Sequence, residues 1–134
     1  MAVLDRILIT GGGGFVGSRL RERLRATFPG ARFIDVSRSC EDDVPGWQGV
    51  VLDLRDEAGV DAVVAEFAPQ LVVHLAAQSS IGAATRAGED SWRTNFLGTF
   101  HLATAVARHV PEATFFFASS AAIYGASLID GVVD

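Results

Sequence analysis

The sequence contains no lysine: its eleven basic residues are all arginine, set against sixteen carboxylates for a formal charge of −5. That absence removes every chemistry that needs a lysine amine, including Schiff bases, the phosphate-gripping lysine of a P-loop and a tyrosine–lysine proton relay. The acidic balance weighs against nucleic-acid binding, which shows a basic surplus or patch. Cysteine is nearly missing as well. Cys40 stands alone, so neither an internal disulfide nor a cysteine-based metal site can form, and a reducing, cytoplasmic setting fits best. No apolar segment approaches the roughly 20 residues of a membrane span. The short apolar stretch before the glycine run at Gly11 lacks a cleavage-site pattern. The chain therefore reads as soluble, unexported and without a membrane partner.

What is present suits one globular domain spanning residues 1–134: 49% of the residues are apolar and 20% charged, enough to build a core. Short apolar runs alternate with helical patterns, with no repeat or linker between them. Strands are expected at Ile7 to Thr10, Arg32 to Val36, Val50 to Leu52, Leu71 to Leu75 and Thr114 to Ala118. Helices are expected from Phe15 to Thr27, with Val16, Leu20, Leu24 and Phe28 inward and the arginines outward, and from Glu57 to Phe67. A third, capped by Asp90 or Ser91, runs to about His109 with Trp92, Phe96, Phe100, Ala103 and Ala107 as its buried stripe. Strands joined by such helices require right-handed parallel crossovers. The fold class is thus α/β, a Rossmann-type doubly wound parallel sheet of order 3-2-1-4-5, with ligands expected at the carboxyl ends of its strands.

The chemistry clusters there. Gly11, Gly14 and Gly17 open the first helix directly after the first strand, where Gly11 permits the turn, Gly14 lets a pyrophosphate approach and Gly17 lets helix and strand pack closely. Phe15 and Val16, between the last two, complete the candidate cofactor turn. Asp35 follows Gly17 by 18 residues, near the spacing of an acid that binds a ribose 2′-hydroxyl, which favours NAD. Ser37 and Arg38 lie close enough to meet a 2′-phosphate, so NADP stays open. Asp53 with Leu54 suits an adenine site, and Asp53 is equally a turn acid. His74, inside an apolar strand, reads as a hydrogen-bonded core residue. His101 and His109 have no ligand partners at useful spacing, so no metal is expected.

Five stretches, Thr10 to Gly17, Asp53-Leu54, His74 to Gln78, Asn95 to Thr99 and Ser119 to Gly125, occur in the order and spacing of one family. The sequence resembles the extended short-chain dehydrogenase/reductases, the NAD-dependent nucleotide-sugar epimerases, dehydratases and reductases. The resemblance implies that Ala76 and Ala77 line the cofactor, that Asn95 supports the site from its helix, and that Ser120 is the catalytic hydroxyl facing a nucleotide-sugar substrate. It also implies a homodimer formed through the Asn95 helix. Ala121 and Ala122 replace the acid pair of the dehydratase branch, which favours an epimerase or 4-keto-sugar reductase. The family's Tyr-x-x-x-Lys pair is missing, since Tyr124, the only tyrosine, is followed four residues on by Leu128 and matches a structural tyrosine instead.

The chain is therefore expected to be the cofactor half of such an enzyme, truncated before the sixth strand and inactive by itself, with apolar surface exposed where a further helix is lacking. The alternative is a noncatalytic NAD(P)-binding module for sensing or assembly.

Overall fold

The computed structural model describes residues 4–39, 44–77 and 88–119. Ser120, Tyr124, Cys40 and Gln78 lie outside them. In chain order come β1 (Arg6–Thr10), α1 (Phe15–Thr27), β2 (Arg32–Ser37), β3 (Gln48–Val51), α2 (Glu57–Phe67), β4 (Leu71–His74), α3 (Gly88–Trp92), α4 (Gly98–His109) and β5 (Thr114–Phe117), with a π-helical turn over Arg93–Leu97 joining α3 to α4. The five strands are parallel in the order β3-β2-β1-β4-β5. This is the doubly wound order expected, with the chain crossing from one side of β1 to the other between β3 and β4.

Both faces of the sheet are covered at its central strands, which is why these are apolar at nearly every position, whereas Phe116 and Phe117 on the edge strand β5 are about half exposed. Ile7, Ile9, Phe33 and Val73 turn toward α1 and pack with Leu24 and Trp47. Leu8, Ile34, Val36 and Val72 turn the other way, onto Val60, Val64, Leu102 and Val106 of α2 and α4. Val60, Val64 and Leu102 are at most 2% exposed, and each such burial contributes on the order of 1.5–3 kcal/mol. Asp56 caps α2 by accepting a hydrogen bond from the Gly59 N–H. Trp47, between β2 and β3, joins the core with its ring tilted against Phe33 at a centroid separation of 4.7 Å.

Three expectations about helix faces are corrected. Trp92, Phe96 and Phe100 do not form a buried stripe: they are 57%, 53% and 56% exposed, stacked in a row along the outside. Ala103 is half-buried and Ala107 exposed. The inward face of α4 is Gly98, Leu102, Ala105 and Val106. Small residues let this helix approach closely, since a Cβ added at Gly98 would lie only 3.0 Å from Leu54 Cβ, so the side with the larger rings is the side left out. On α1, Val16 is exposed rather than inward. Arg21, counted with the solvated arginines, keeps only 12% of its side chain exposed.

Candidate functional site

The turn after β1 is shaped by two glycines that the chain itself requires. Gly11 has φ +75°, and a Cβ there would stand 2.7 Å from the Ala76 nitrogen. A Cβ at Gly17 would stand 2.7 Å from Gly12 Cα. Gly14 differs. Its backbone, at φ −71° and ψ 172°, suits any residue, and a Cβ there would meet only the Gly11 oxygen, at 3.3 Å. Of the three, Gly14 is the one whose Cβ would need only a small shift of its neighbour. Directly behind it, the first turn of α1 has neither a side-chain cap nor an acidic residue. Its N–H donors and the positive end of the helix dipole remain available to an anion.

These groups border a cleft of about 880 Å³ at the carboxyl edge of the sheet. Gly11, Gly14, Phe15, Val16, Gly17, Asp35, Arg38, Asp53, Leu54, Ala76 and Ala77 all line it. Asn95 does not; it sits half-buried in the π-helical turn, and its neighbour Thr94 reaches the wall instead. Ser120 lies outside the described residues. Among the cleft residues that the sequence does not single out are Arg21 and Trp47. A signal for Arg21 exists in the sequence: it is four residues beyond Gly17, hence on the same face of α1 as the glycine that must approach the strand.

Arg21 donates from Nη1 to Asp35 Oδ2 at 2.7 Å, while the Gly12 N–H donates to Asp35 Oδ1 at 3.2 Å. Burial pushes the Asp35 carboxyl above the ordinary range, and the Gly12 N–H and the Arg21 charge oppose that shift. Asp53 is engaged from outside the cleft: Arg55 donates to it from its backbone N–H at 2.9 Å and from its guanidinium at 2.6–3.0 Å. Hydrogen bonding from Arg55 holds its carboxyl below the usual range. The turn-acid reading of Asp53 thus has direct support, beside its place on the cleft wall.

On the opposite face of the sheet, His74 sits in register with Thr10 and is 1% exposed. The hydrogen bonds around it fix their own direction. The Thr99 hydroxyl donates to the Asn95 carbonyl at 2.6 Å, so it accepts from His74 Nε2–H at 2.8 Å. Nδ1 is then an acceptor, taking the Thr10 hydroxyl at 2.6 Å, and Thr10 Oγ1 in turn accepts the Ala76 N–H at 3.2 Å. Burial lowers the His74 pKa to about 4, keeping the ring neutral. His74 is therefore the core residue expected, and it ties the cleft-lining Ala76 to the Asn95 turn. His101 bridges α4 to the Leu54 carbonyl at 3.0 Å, and His109 contacts Asp61 at 2.9 Å. Among the described residues no three side chains group as metal ligands, and no helix is long and apolar enough to cross a membrane.

A doubly wound parallel sheet, a glycine-rich turn into α1 and a cleft over the strand ends define a Rossmann-type domain. The model of the NAD dependent epimerase/dehydratase family matches residues 7–131, and the chain belongs to that family. It is similar to a dTDP-L-rhamnose 4-epimerase of Burkholderia thailandensis, at 29% identity over 90% of this chain and 36% of that protein. Among solved structures it resembles a putative epimerase from Burkholderia cenocepacia, with 29% identity, a TM-score of 0.80, and 97% of this chain and 42% of that one covered. It also resembles the Thermus thermophilus UDP-glucose 4-epimerase complex with NAD, with 33% identity, a TM-score of 0.69, and 78% and 34% covered. The chain thus spans between about a third and two fifths of the length of these relatives.

Proposed function

We propose that this chain binds NAD in the cleft and is the dinucleotide-binding portion of a nucleotide-sugar epimerase or 4-keto-sugar reductase. The observation that carries the reading is Gly14, the glycine of this turn with the least crowded Cβ position and an ordinary backbone conformation, placed before an uncapped helix N-terminus. In the bound arrangement the first-turn N–H groups of α1 and Gly14 hold the pyrophosphate, Asp35 takes the adenosine ribose, Asp53 and Leu54 flank the adenine, and Ala76 and Ala77 lie along the nicotinamide ribose. Phe15 and Val16 complete the wall over the pyrophosphate. NAD supplies a hydride acceptor and donor for a sugar carbon. Ser120 is assigned to the substrate hydroxyl, and Asn95 supports the site through its helix. With no lysine among the 134 residues, no tyrosine–lysine relay forms within them, and the chain by itself is inactive. Ala121 and Ala122 cannot transfer a proton, which supports epimerisation or reduction over dehydration. A cytoplasmic setting and self-association through the Trp92–Phe96–Phe100 face belong to the same reading.

Calorimetric titration tests it. NAD binds the chain, and Gly14→Val abolishes binding while the melting temperature stays within a few degrees, because the one contact of its Cβ, with the Gly11 oxygen at 3.3 Å, is relieved by a small shift. Absence of binding at millimolar NAD, or unaltered binding by Gly14→Val, overturns the assignment.

A further inference from the structure

The adenosine end of the cleft holds an unusual balance of charge. An unpaired acid at the end of β2 discriminates against a 2′-phosphate by repulsion. Asp35 is not unpaired: both of its oxygens accept hydrogen bonds, one from Gly12 and one from the Arg21 guanidinium at 2.7 Å. The second carboxylate of this end, Asp53, is taken by Arg55. Arg38, which also lines the cleft, makes no hydrogen bond or close ion pair among the described residues and feels only the weaker attraction of Asp53, and the Ser37 hydroxyl stands beside it, donating to the Ser39 carbonyl at 2.7 Å. Arg21 itself has donors to spare. A guanidinium carries five N–H groups, Asp35 is the one acceptor Arg21 has among the described residues, and Nε is buried with no partner.

We propose that Arg21 is a specificity-determining residue: by neutralising Asp35 beside Arg38, it makes the adenosine end of this cleft accept a 2′-phosphorylated dinucleotide alongside the unphosphorylated one. The inference rests on the dinucleotide-binding reading above. It extends that reading to a residue which neither the glycine turn nor the acid after it identifies. Asp35 remains a ribose ligand, because a carboxylate oxygen with one hydrogen bond retains a lone pair for a hydroxyl. What it loses is net charge.

The test uses ADP-ribose and 2′-phospho-ADP-ribose, which carry the adenosine end without the nicotinamide, titrated calorimetrically into the chain. The two dissociation constants of the unaltered chain lie within about tenfold of each other. Arg21→Leu weakens the 2′-phosphate ligand at least tenfold relative to ADP-ribose, and Arg21→Lys restores part of the ratio. Asp35→Asn shifts the ratio the opposite way, toward the phosphate, and keeps the proposal testable if Arg21→Leu does not fold. Exclusion of the 2′-phosphate ligand by more than a hundredfold in the unaltered chain, or a ratio indifferent to Arg21→Leu or to Asp35→Asn, overturns the role of Arg21. Those outcomes leave dinucleotide binding standing; failure of both ligands to bind at millimolar concentration overturns both.

Discussion

Thr10–His74–Thr99 and Arg21–Asp35–Gly12 are both buried at the carboxyl end of the sheet, one on each face, yet they differ in what they leave over. In the first, every donor meets an acceptor and the chain of hydrogen bonds runs in one direction from the Ala76 N–H to the Asn95 carbonyl. Nothing is left for a ligand, and the ring stays neutral. In the second, a full ion pair borders the cleft and Arg21 keeps N–H groups without an acceptor. Buried polar groups that are fully satisfied fix a structure, whereas a cluster with surplus donors at a cavity wall is arranged to receive something. The same end of one sheet thus carries a brace on one side and, on the proposed function, a receptor on the other.

The largest effect should come from breaking the ionic cluster. Arg21→Leu leaves a buried carboxylate without its partner and should cost about 3 kcal/mol in denaturant unfolding. Replacing both partners, with Arg21→Leu and Asp35→Leu together, should recover most of that loss. A comparable effect, reached by titration, distinguishes the neutral cluster. Unfolded His74 takes up a proton below about pH 6.5, while the folded chain holds the ring neutral to about pH 4. In that window the unfolded state binds more protons, so stability rises with pH between 4 and 6.5, by up to about 3 kcal/mol. His74→Gln should remove this part of the pH dependence, measured as the difference between the two unfolding profiles, while carboxylate titration common to both cancels.

That comparison also separates what the sequence reveals from what it hides. The strand order follows from β-branched runs alternating with helical patterns, because parallel crossovers leave little choice of topology. His74 was legible because an isolated imidazole in an apolar strand must be satisfied where it lies. The glycine turn was legible because Gly11 and Gly17 answer to local backbone demands. Arg21 is not legible in this way, since arginines on a helix are ordinarily solvated and its carboxylate partner lies 14 residues away on another element. The inward face of α4 was misassigned for a related reason. Periodicity identifies a stripe, but the choice between a stripe of rings and a stripe of glycine and alanine depends on how closely α2 and the Leu54 turn approach.

A smaller effect sharpens the picture of the brace. Thr99→Val removes the acceptor of His74 Nε2–H while keeping the side chain's shape, and should cost about 1–2 kcal/mol, the penalty of one buried donor left unsatisfied. It should not weaken the His74-dependent pH slope, since the loss of an Nε2–H acceptor costs an imidazolium at least as much as a neutral ring. Cofactor affinity should change less than it does for Arg21→Leu, because Ala76 keeps its bond to Thr10.

The smallest expected change in stability belongs to neither cluster. Phe96 stacks between Trp92 and Phe100, at ring separations of 4.8 and 6.2 Å, but the whole row faces outward. Phe96→Gln should therefore cost less than about 1 kcal/mol, the scale of exposed aromatic contacts. If a second copy of the chain covers the row, the same substitution should shift sedimentation toward monomer at micromolar concentration. A polar residue at the centre of a ring-lined face removes far more from an interface than from a fold that leaves that face outside its core. A monomeric unaltered chain at that concentration, or a sedimentation profile untouched by Phe96→Gln, would remove self-association through this row from the proposed function.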